Sequence, residues 1–184
     1  ATGISNGAFM SHYLAFRLSD RIAAIAPVVG GIAEPLRGSF RPERPVSVLI
    51  IQSTGDPLCP YAGGEVAVRL GRWRTIRRGR ALGTEEAVQI WVEQNRCDPV
   101  PKVETLPDAD PSDGSRVVRY TYAGPAEVVF YKIEGGGHTW PGGPQYLPVS
   151  WIGNICRDFD ATELILDFFK AHPKSAPVQN IYLP

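Results

Sequence analysis

Apolar residues recur at near-helical spacing in three parts of the chain, and this predicts three helices. In the first, residues 5–21, a turn leads into a helix whose apolar positions are Phe9, Met10, Tyr13, Leu14 and Leu18. The second helix, residues 84–95, has the same period and an inward face of Ala87, Ile90 and Trp91. The third, residues 160–172, has an inward face of Leu164, Ile165, Phe168 and Phe169. The predicted N-caps are Thr84 for the second helix and Asp158 or Asp160 for the third.

Continuous apolar runs predict buried strands. Residues 22–29 form one such run, closed by two glycines, and residues 46–51 form a second that is rich in β-branched side chains. Runs like these are typical of parallel strands covered on both faces. Three further strands are predicted at 102–106, 116–122 and 127–133, with a hairpin-type loop at 107–114. The alternation of helices with apolar strands favours an α/β fold with a mostly parallel sheet flanked by helices.

Two polar segments interrupt this pattern. Residues 33–45 contain three prolines and several charges, which predicts a loop. Residues 69–80 contain six arginines in twelve positions. We interpret the arginine-rich segment as a solvated loop or helix face rather than a site for acidic polymers.

Composition limits the class of protein. The 184 residues fit a single domain, with 43% hydrophobic and 21% charged residues, which is a globular balance. The formal net charge is zero, so nothing attracts the chain to nucleic acid or to an anionic membrane, and we expect neither as a partner. No apolar run approaches the roughly 20 residues needed to span a bilayer.

The chain opens at Ala1 already inside a motif, without an initiator methionine or a signal peptide. We therefore expect residues 1–184 to be the C-terminal part of one catalytic domain whose N-terminal strands are missing. In that case the lack of a targeting segment carries no information.

Gly3 to Gly7 match the G-x-S-x-G pattern of a nucleophile elbow, with Ser5 at its centre. In such an elbow the serine lies on a sharp, strained turn between a strand and a helix, so small residues are expected on both sides. The pattern alone is weak, but a convincing helix follows it at once. The backbone N–H of Asn6, the residue after the serine, is the expected oxyanion donor.

A serine hydroxyl needs a base that takes its proton, and the chain has three histidines. His12 lies in the helix after the elbow and cannot fold back onto Ser5, so we interpret it as a surface or packed residue. His172 ends the last helix, where a contact with the helix dipole explains it. His138 lies in the glycine-rich segment EGGGHTWPGG, whose backbone can approach other groups closely, and is the predicted base.

Asp56 is the predicted acid because it directly follows the most apolar strand and lies between serine and histidine in the chain. The order Ser, Asp, His is the order that α/β-hydrolases use. Three other aspartates, at 108, 110 and 113, lie in a hairpin loop and are poorer candidates. Trp140 and, less strongly, Tyr61 are candidates for the wall of the substrate pocket, although packing under the glycine-rich loop also explains Trp140.

Several segments together resemble one family. The segments are GISNGAFM, DRIAAIAPV, TGDPLCPYAGG, GGGHTWPGG and DATELILDFF, and they are similar to the polyhydroxybutyrate depolymerase and feruloyl esterase family of α/β-hydrolases over almost the whole chain. The resemblance implies a serine esterase with the triad Ser5, Asp56 and His138, no cofactor and no metal. It also implies an extracellular or periplasmic location.

Cys59, Cys97 and Cys156 allow at most one internal disulfide, and no pair has the spacing of a zinc site. Cys59 and Cys156 depart from the family pattern, so the pairing of Cys97 stays open.

The expected reaction is hydrolysis of a carboxylic ester through an acyl-enzyme, on a polyhydroxyalkanoate, a feruloyl or acetyl group, or a small ester. Within enzymes, the alternative is an α/β-hydrolase peptidase or a dienelactone-type hydrolase, against which the glycine-rich loop around His138 argues. Outside enzymes, the alternative is an inactive hydrolase fold that binds a ligand or carbohydrate.

Overall fold

A computed structural model of the chain describes residues 1–70 and 74–174. In chain order the strands are β1 (Thr2–Ile4), β2 (Ala24–Val28), β3 (Ser47–Ser53), β4 (Gly64–Leu70), β5 (Arg74–Ala81), β6 (Lys102–Thr105), β7 (Arg116–Tyr122) and β8 (Val128–Glu134). The α-helices are α1 (Asn6–Arg17), α2 (Thr84–Gln94), α3 (Val149–Ile152) and α4 (Ala161–Ala171), and a short 3₁₀ helix covers Glu34–Leu36.

The central sheet has six strands in the order β1-β2-β3-β8-β7-β6. The pairs β1–β2, β2–β3 and β3–β8 are parallel, while β8–β7 and β7–β6 are antiparallel. The carboxyl ends of β1, β2, β3 and β8 therefore meet at one edge of the sheet. In open α/β sheets this is the edge where ligands bind.

Helices cover both faces of the sheet, and the alternation along β3 shows how. Val48 and Ile50 pack with residues of α1 and α2, whereas Leu49 and Ile51 pack with residues of α4. All seven residues of β3 are buried, as expected for a strand covered on both faces. The fold is therefore mixed α/β with a mostly parallel sheet between helices, which confirms the sequence-based prediction at that level.

Strand β1 leads directly into the turn at Ser5 and has three residues. Thr2, Gly3 and Ile4 pair in parallel with Ala26, Pro27 and Val28, because three backbone positions are enough to continue the ladder of β2. In the part of the chain that the structure describes, β1 forms one edge of the sheet.

The arginine-rich segment is different from the prediction. Its described residues are neither a loop nor a helix face: they belong to β4 and β5, which pair antiparallel in a separate sheet that we call the β4–β5 hairpin, while residues 71–73 lie outside the described residues. The alternation of β4, with Val66 and Val68 on one face, gives the hairpin an apolar side, while the arginines of β5 stay exposed. Two contacts fix its base: Ala67 N–H donates to Leu58 O at 3.2 Å, and Ala33 bridges Ala81.

One of the two predicted helix N-caps is confirmed and the other is wrong. Asp160 caps α4, and its carboxylate accepts from the N–H groups of Thr162 and Glu163. Thr84 does not cap α2, because it is already the first helical residue and Gly83 occupies the cap position. None of the helices within residues 1–70 and 74–174 has the length and apolarity to cross a bilayer.

Candidate active site

Ser5 occupies the turn between β1 and α1 in a strained backbone conformation. Its φ is 55° and its ψ is −115°, in the region that non-glycine residues rarely adopt. The turn is anchored because Ser5 N–H donates to Val28 O at 2.9 Å, and Ser5 O accepts from Ala8 N–H at 2.9 Å. Such strain costs on the order of 1–3 kcal/mol and concentrates at functional sites, where the surrounding structure must hold it in place.

Close backbone packing explains one glycine of the elbow but not the other. A Cβ on Gly3 would lie 2.9 Å from Gly7 Cα, whereas a Cβ on Gly7 would meet nothing within 4 Å. Small residues were expected on both sides of Ser5. Lack of room for a side chain explains the glycine at position 3 but not the one at position 7. The turn also requires glycine at position 30, which the sequence reasoning missed. A Cβ added to Gly30 would lie 2.6 Å from Ser5 O.

Asp56 lies in the loop after β3 with a side chain that is fully buried. Its Oδ1 accepts from the backbone N–H groups of Leu58 and Cys59, both at 2.8 Å. These two bonds fix the rotamer of the carboxylate and leave Oδ2 free to face another group.

That group is His138, whose Nδ1 lies 2.7 Å from Asp56 Oδ2. The imidazole is 5% exposed, so the contact is shielded from water and from salt. Nδ1 must carry the proton for this hydrogen bond when the carboxylate is ionised, which leaves Nε2 as an acceptor. This is the tautomer that a general base requires.

The glycine-rich loop holds His138 in place through its backbone. His138 N–H donates to Ile152 O at 2.5 Å, and Gly137 N–H donates to Asn154 O at 2.7 Å. A Cβ on Gly137 would lie 2.1 Å from Ile152 O, so only glycine allows this approach. The glycine at position 137 thus allows the backbone of the loop to lie close to residues 152–154.

Tyr146 is a positioning residue that the sequence reasoning missed. Its hydroxyl donates to the carbonyl oxygen of His138 at 2.7 Å. Burial, followed by the charge of Asp56, raises the pKa of Tyr146, so the phenol stays protonated and available as a donor. Nothing in the local sequence, which is polar and rich in proline, indicated this contact.

Ser5, Asp56 and His138 follow the carboxyl ends of β1, β3 and β8, so all three lie at the same edge of the sheet. The structure joins His138 to Asp56 by a hydrogen bond. It records no hydrogen bond between Ser5 and His138 within residues 1–70 and 74–174. The expected contact between the serine and the base is therefore not among the hydrogen bonds of the described residues.

A cavity of about 640 Å³ opens at Ser5. We call it the Ser5 cavity; the described residues that line it are Ser5, Asn6, Phe9, Ala33, Leu58, Val66, Val68 and Arg78. Asn6 is the first residue of α1, and N–H groups in the first turn of a helix have no partner inside the helix. The cavity therefore combines an apolar lining, a hydroxyl and a helix N-terminus.

Trp140 and Tyr61 lie elsewhere. Trp140 packs against the core beside α4, and its Nε1 donates to Thr162 Oγ1 at 3.1 Å. Tyr61 donates from its hydroxyl to Glu85 at 3.0 Å and lines a different, polar cavity. Neither belongs to the described lining of the Ser5 cavity, so the structure gives no support to their assignment as pocket walls.

The other two histidines have structural surroundings. His12 is 1% exposed, and its Nδ1 accepts from Trp91 Nε1 at 3.0 Å. Burial lowers the pKa of His12 to about 3, so the ring is neutral at physiological pH. His172 Nδ1 lies 2.7 Å from Phe168 O in the last turn of α4, and its Nε2 lies 2.7 Å from Glu127.

All three cysteines are free thiols in buried positions. Burial, then the negative charge of Asp56, raises the pKa of Cys59 to about 12. Burial also raises the pKa of Cys97 and of Cys156. The structure thus contains three buried thiols and no disulfide among the described residues.

Two relatives of the chain carry esterase names. The chain is 31% identical over 176 residues to the protein named "Putative esterase NocK" from Nocardia uniformis subsp. tsuyamanensis, a match that covers 91% of the chain and 49% of that protein. It is 31% identical over 140 residues to "Feruloyl esterase B" from Piromyces equi, covering 75% of the chain and 24% of that protein. No protein-family model matches the chain. The chain thus spans about half the length of the first relative and about a quarter of the second, and it is similar in sequence to two proteins that are named esterases.

Proposed function

We propose that this chain contains the catalytic groups of a serine carboxylic-ester hydrolase with an α/β-hydrolase fold. The observation that carries the proposal is the buried contact between Asp56 and His138 at the sheet edge where the strained turn presents Ser5. The esterase names of the two relatives support the reaction class. Within that class, the resemblance to the polyhydroxybutyrate depolymerase and feruloyl esterase family is part of the proposal.

In the first half of the reaction, Ser5 Oγ attacks the carbonyl carbon of the ester and its proton passes to His138 Nε2. Asp56 accepts a hydrogen bond from Nδ1–H and stabilises the imidazolium that forms. The negative charge on the former carbonyl oxygen is stabilised by the N–H of Asn6 at the positive end of α1. When the C–O bond to the alcohol breaks, the leaving oxygen takes the proton from His138, and the acyl group stays on Ser5.

In the second half, water attacks the acyl-enzyme while His138 Nε2 takes its proton. Collapse of the intermediate releases the carboxylic acid and returns the proton to Ser5 Oγ. These steps need no metal or organic cofactor. They do require a contact between His138 Nε2 and Ser5 Oγ, and catalytic hydrogen bonds of this kind often form only when substrate binds.

The apolar lining of the Ser5 cavity supports an ester with an apolar part next to the carbonyl. Polyhydroxyalkanoate, feruloyl and acetyl esters all meet this condition. We propose an extracellular or periplasmic location together with these substrates, on the family resemblance alone.

One observation favours a second candidate, a hydrolase fold that binds a ligand without turnover. A protein of that kind needs no contact between Ser5 and His138, and none is recorded among the described residues. A fluorophosphonate probe separates the two candidates because it reacts with an activated serine and forms a stable adduct.

The test uses the complete gene product that contains this chain. We expect the probe to label the wild type at Ser5 and to leave Ser5→Ala unlabelled, as read by intact-protein mass spectrometry. The wild type should also hydrolyse at least one ester among 4-nitrophenyl butyrate, methyl ferulate and a hydroxybutyrate oligomer. A folded wild type that neither reacts with the probe nor hydrolyses any of the three would contradict the esterase and favour the binding protein.

A further inference from the structure

The Ser5 cavity has one charged side chain in its described lining, that of Arg78 on β5. The remaining described lining residues are uncharged, and five of them (Phe9, Ala33, Leu58, Val66 and Val68) are apolar. An arginine at the rim of such a cavity has no role in the steps derived for Ser5, Asp56 and His138. Its presence therefore needs a separate explanation.

The register of the hairpin explains why Arg78 faces the cavity. Val68 lies opposite Ile76, so these two residues share a face of the β4–β5 hairpin. Arg78 follows Ile76 by two residues and therefore points to the same face, as does Val66. Ala67 and Arg77 are opposite each other on the other face.

A bulge at this point adjusts the direction of the side chain. Between the pairs Glu65–Arg80 and Ala67–Arg77 the register shifts, which leaves Arg78 and Gly79 opposite Val66 alone. Gly79 has a φ of 100°, which favours glycine and allows the extra residue. Bulges next to active sites commonly turn a side chain toward the site.

Arg77 and Arg80 form ion pairs, whereas Arg78 has no such partner among the described residues. Arg77 Nε lies 2.8 Å from Glu65 Oε1, and Arg80 Nε lies 2.6 Å from Glu34 Oε2. Arg78 has neither an ion pair nor a side-chain hydrogen bond with any residue in the described parts of the chain. Its guanidinium is thus available at the rim of the cavity that contains Ser5.

We propose that Arg78 binds a carboxylate carried by the ester substrate, so that the natural substrate is an anionic ester. The inference rests on the proposed esterase function and names the substrate class for the same site. A guanidinium offers a planar pair of donors that matches a carboxylate, and this geometry orients the ester as well as attracting it. The carboxylate can lie on the acyl part or on the alcohol part of the ester.

The experiment compares matched esters that differ in charge. For the alcohol part, the pair is 4-acetoxybenzoate and its neutral amide, 4-acetoxybenzamide. For the acyl part, the pair is the mono-4-nitrophenyl ester of adipic acid and 4-nitrophenyl hexanoate. The ratio of kcat/KM for the anionic ester over its neutral partner measures the contribution of the charge and cancels changes that affect both esters.

We expect the wild type to favour the anionic member of at least one pair. Arg78→Gln should lower that ratio about fivefold, the upper end for an ion pair at an exposed position. Arg78→Glu should lower it further, and added salt should reduce the preference of the wild type. Arg77→Gln is the matched control, because it removes an arginine from the other face of the same hairpin and should leave the ratio unchanged.

The pair that responds identifies the side of the ester that carries the carboxylate. An unchanged ratio in Arg78→Gln, or an equal change in Arg77→Gln, overturns the role of Arg78 while leaving the esterase intact if neutral esters are still hydrolysed. A wild type that prefers neither anionic ester, or hydrolyses no member of either pair, overturns the inference. The proposed function falls only if the fluorophosphonate probe and the three test esters above also fail.

Discussion

The backbone N–H of Gly55 donates to the carbonyl oxygen of Gly136 at 3.0 Å. This bond lies one residue before Asp56 and two residues before His138, so it ties together the two loops that carry the buried pair. A second tie is next to it, where Gly135 N–H donates to Thr54 Oγ1 at 3.1 Å. The distance between imidazole and carboxylate is therefore set by main-chain contacts as well as by the two side chains.

Replacement of Gly55 should separate the pair without unfolding the protein. A Cβ at this position would lie 2.8 Å from Gly136 O, so Gly55→Ala must push the two loops apart. A displacement of about 1 Å in a catalytic group can cost on the order of 100-fold in rate, and we expect kcat to fall by about that factor. Gly31→Ala is the control, because its Cβ would meet nothing closer than 3.8 Å. Equal ester hydrolysis by the two variants would contradict this account.

The three proposed catalytic residues should act as one unit. Ser5→Ala and His138→Ala should each remove nearly all turnover, by about 10⁶-fold, and the double variant should lose little more. Asp56→Asn should cost less, about 10⁴-fold, because the histidine remains but prefers the wrong tautomer. Steady-state kinetics with a neutral ester check the series. Losses that add in the double variant would mean that Ser5 and His138 do not act in the same step.

The two glycines of the elbow should respond differently to the same substitution. Gly3→Ala places a Cβ 2.9 Å from Gly7 Cα and should destabilise the junction of β1 and α1, with loss of activity. Gly7→Ala meets open space in α1 and should raise the free energy of unfolding by up to about 1 kcal/mol, because alanine favours a helix over glycine. Urea unfolding of both variants checks the contrast. A Gly7→Ala variant that is the less stable of the two would show that the elbow packs differently.

Burial of His12 should make the protein sensitive to acid. Its pKa is about 3 when folded, against 6.5 for a free histidine, so between these values the unfolded chain binds a proton that the folded chain does not. The free energy of unfolding should therefore fall as the pH drops below 6.5, by about 2 kcal/mol at pH 5 from this group. His12→Gln keeps an acceptor for Trp91 and removes the titration. Urea unfolding at pH 7 and pH 5 should show a smaller pH effect in this variant, and an equal effect would contradict the assignment.

The protein should contain three thiols, and in the native state these should react slowly with a thiol reagent. Cys59 and Cys156 are 3% and 1% exposed, and burial raises the pKa of both, so few thiolates are accessible in the native state. A chromogenic disulfide reagent should therefore report three thiols after denaturation and react with them slowly before it. Detection of a single thiol in the denatured, unreduced protein would mean that two of the cysteines form a disulfide.

The residues of the Asp56–His138 contact could be proposed from the sequence, whereas several residues that support them could not. Ser5 could be proposed from its G-x-S-x-G pattern and the helix that follows it, and Asp56 and His138 because each follows an apolar strand within a glycine-containing segment. Tyr146 and Gly30 could not, since their roles depend on contacts with backbone atoms that are distant in sequence. The hairpin of β4 and β5 was missed because its arginines obscured a period-two pattern that Val66, Val68 and Ile76 still carry.

Loop closure sets when this site can form during folding. The contact between Asp56 and His138 closes a segment of 82 residues, and the register that supports it is the parallel pairing of β3 with β8. The turn at Ser5, in contrast, needs only the neighbouring β2. Contacts of high sequence separation form late because their closure entropy must be overcome first. Refolding of the complete protein should therefore restore helical circular dichroism before it restores reaction with the fluorophosphonate probe, and simultaneous recovery of the two signals would contradict this order.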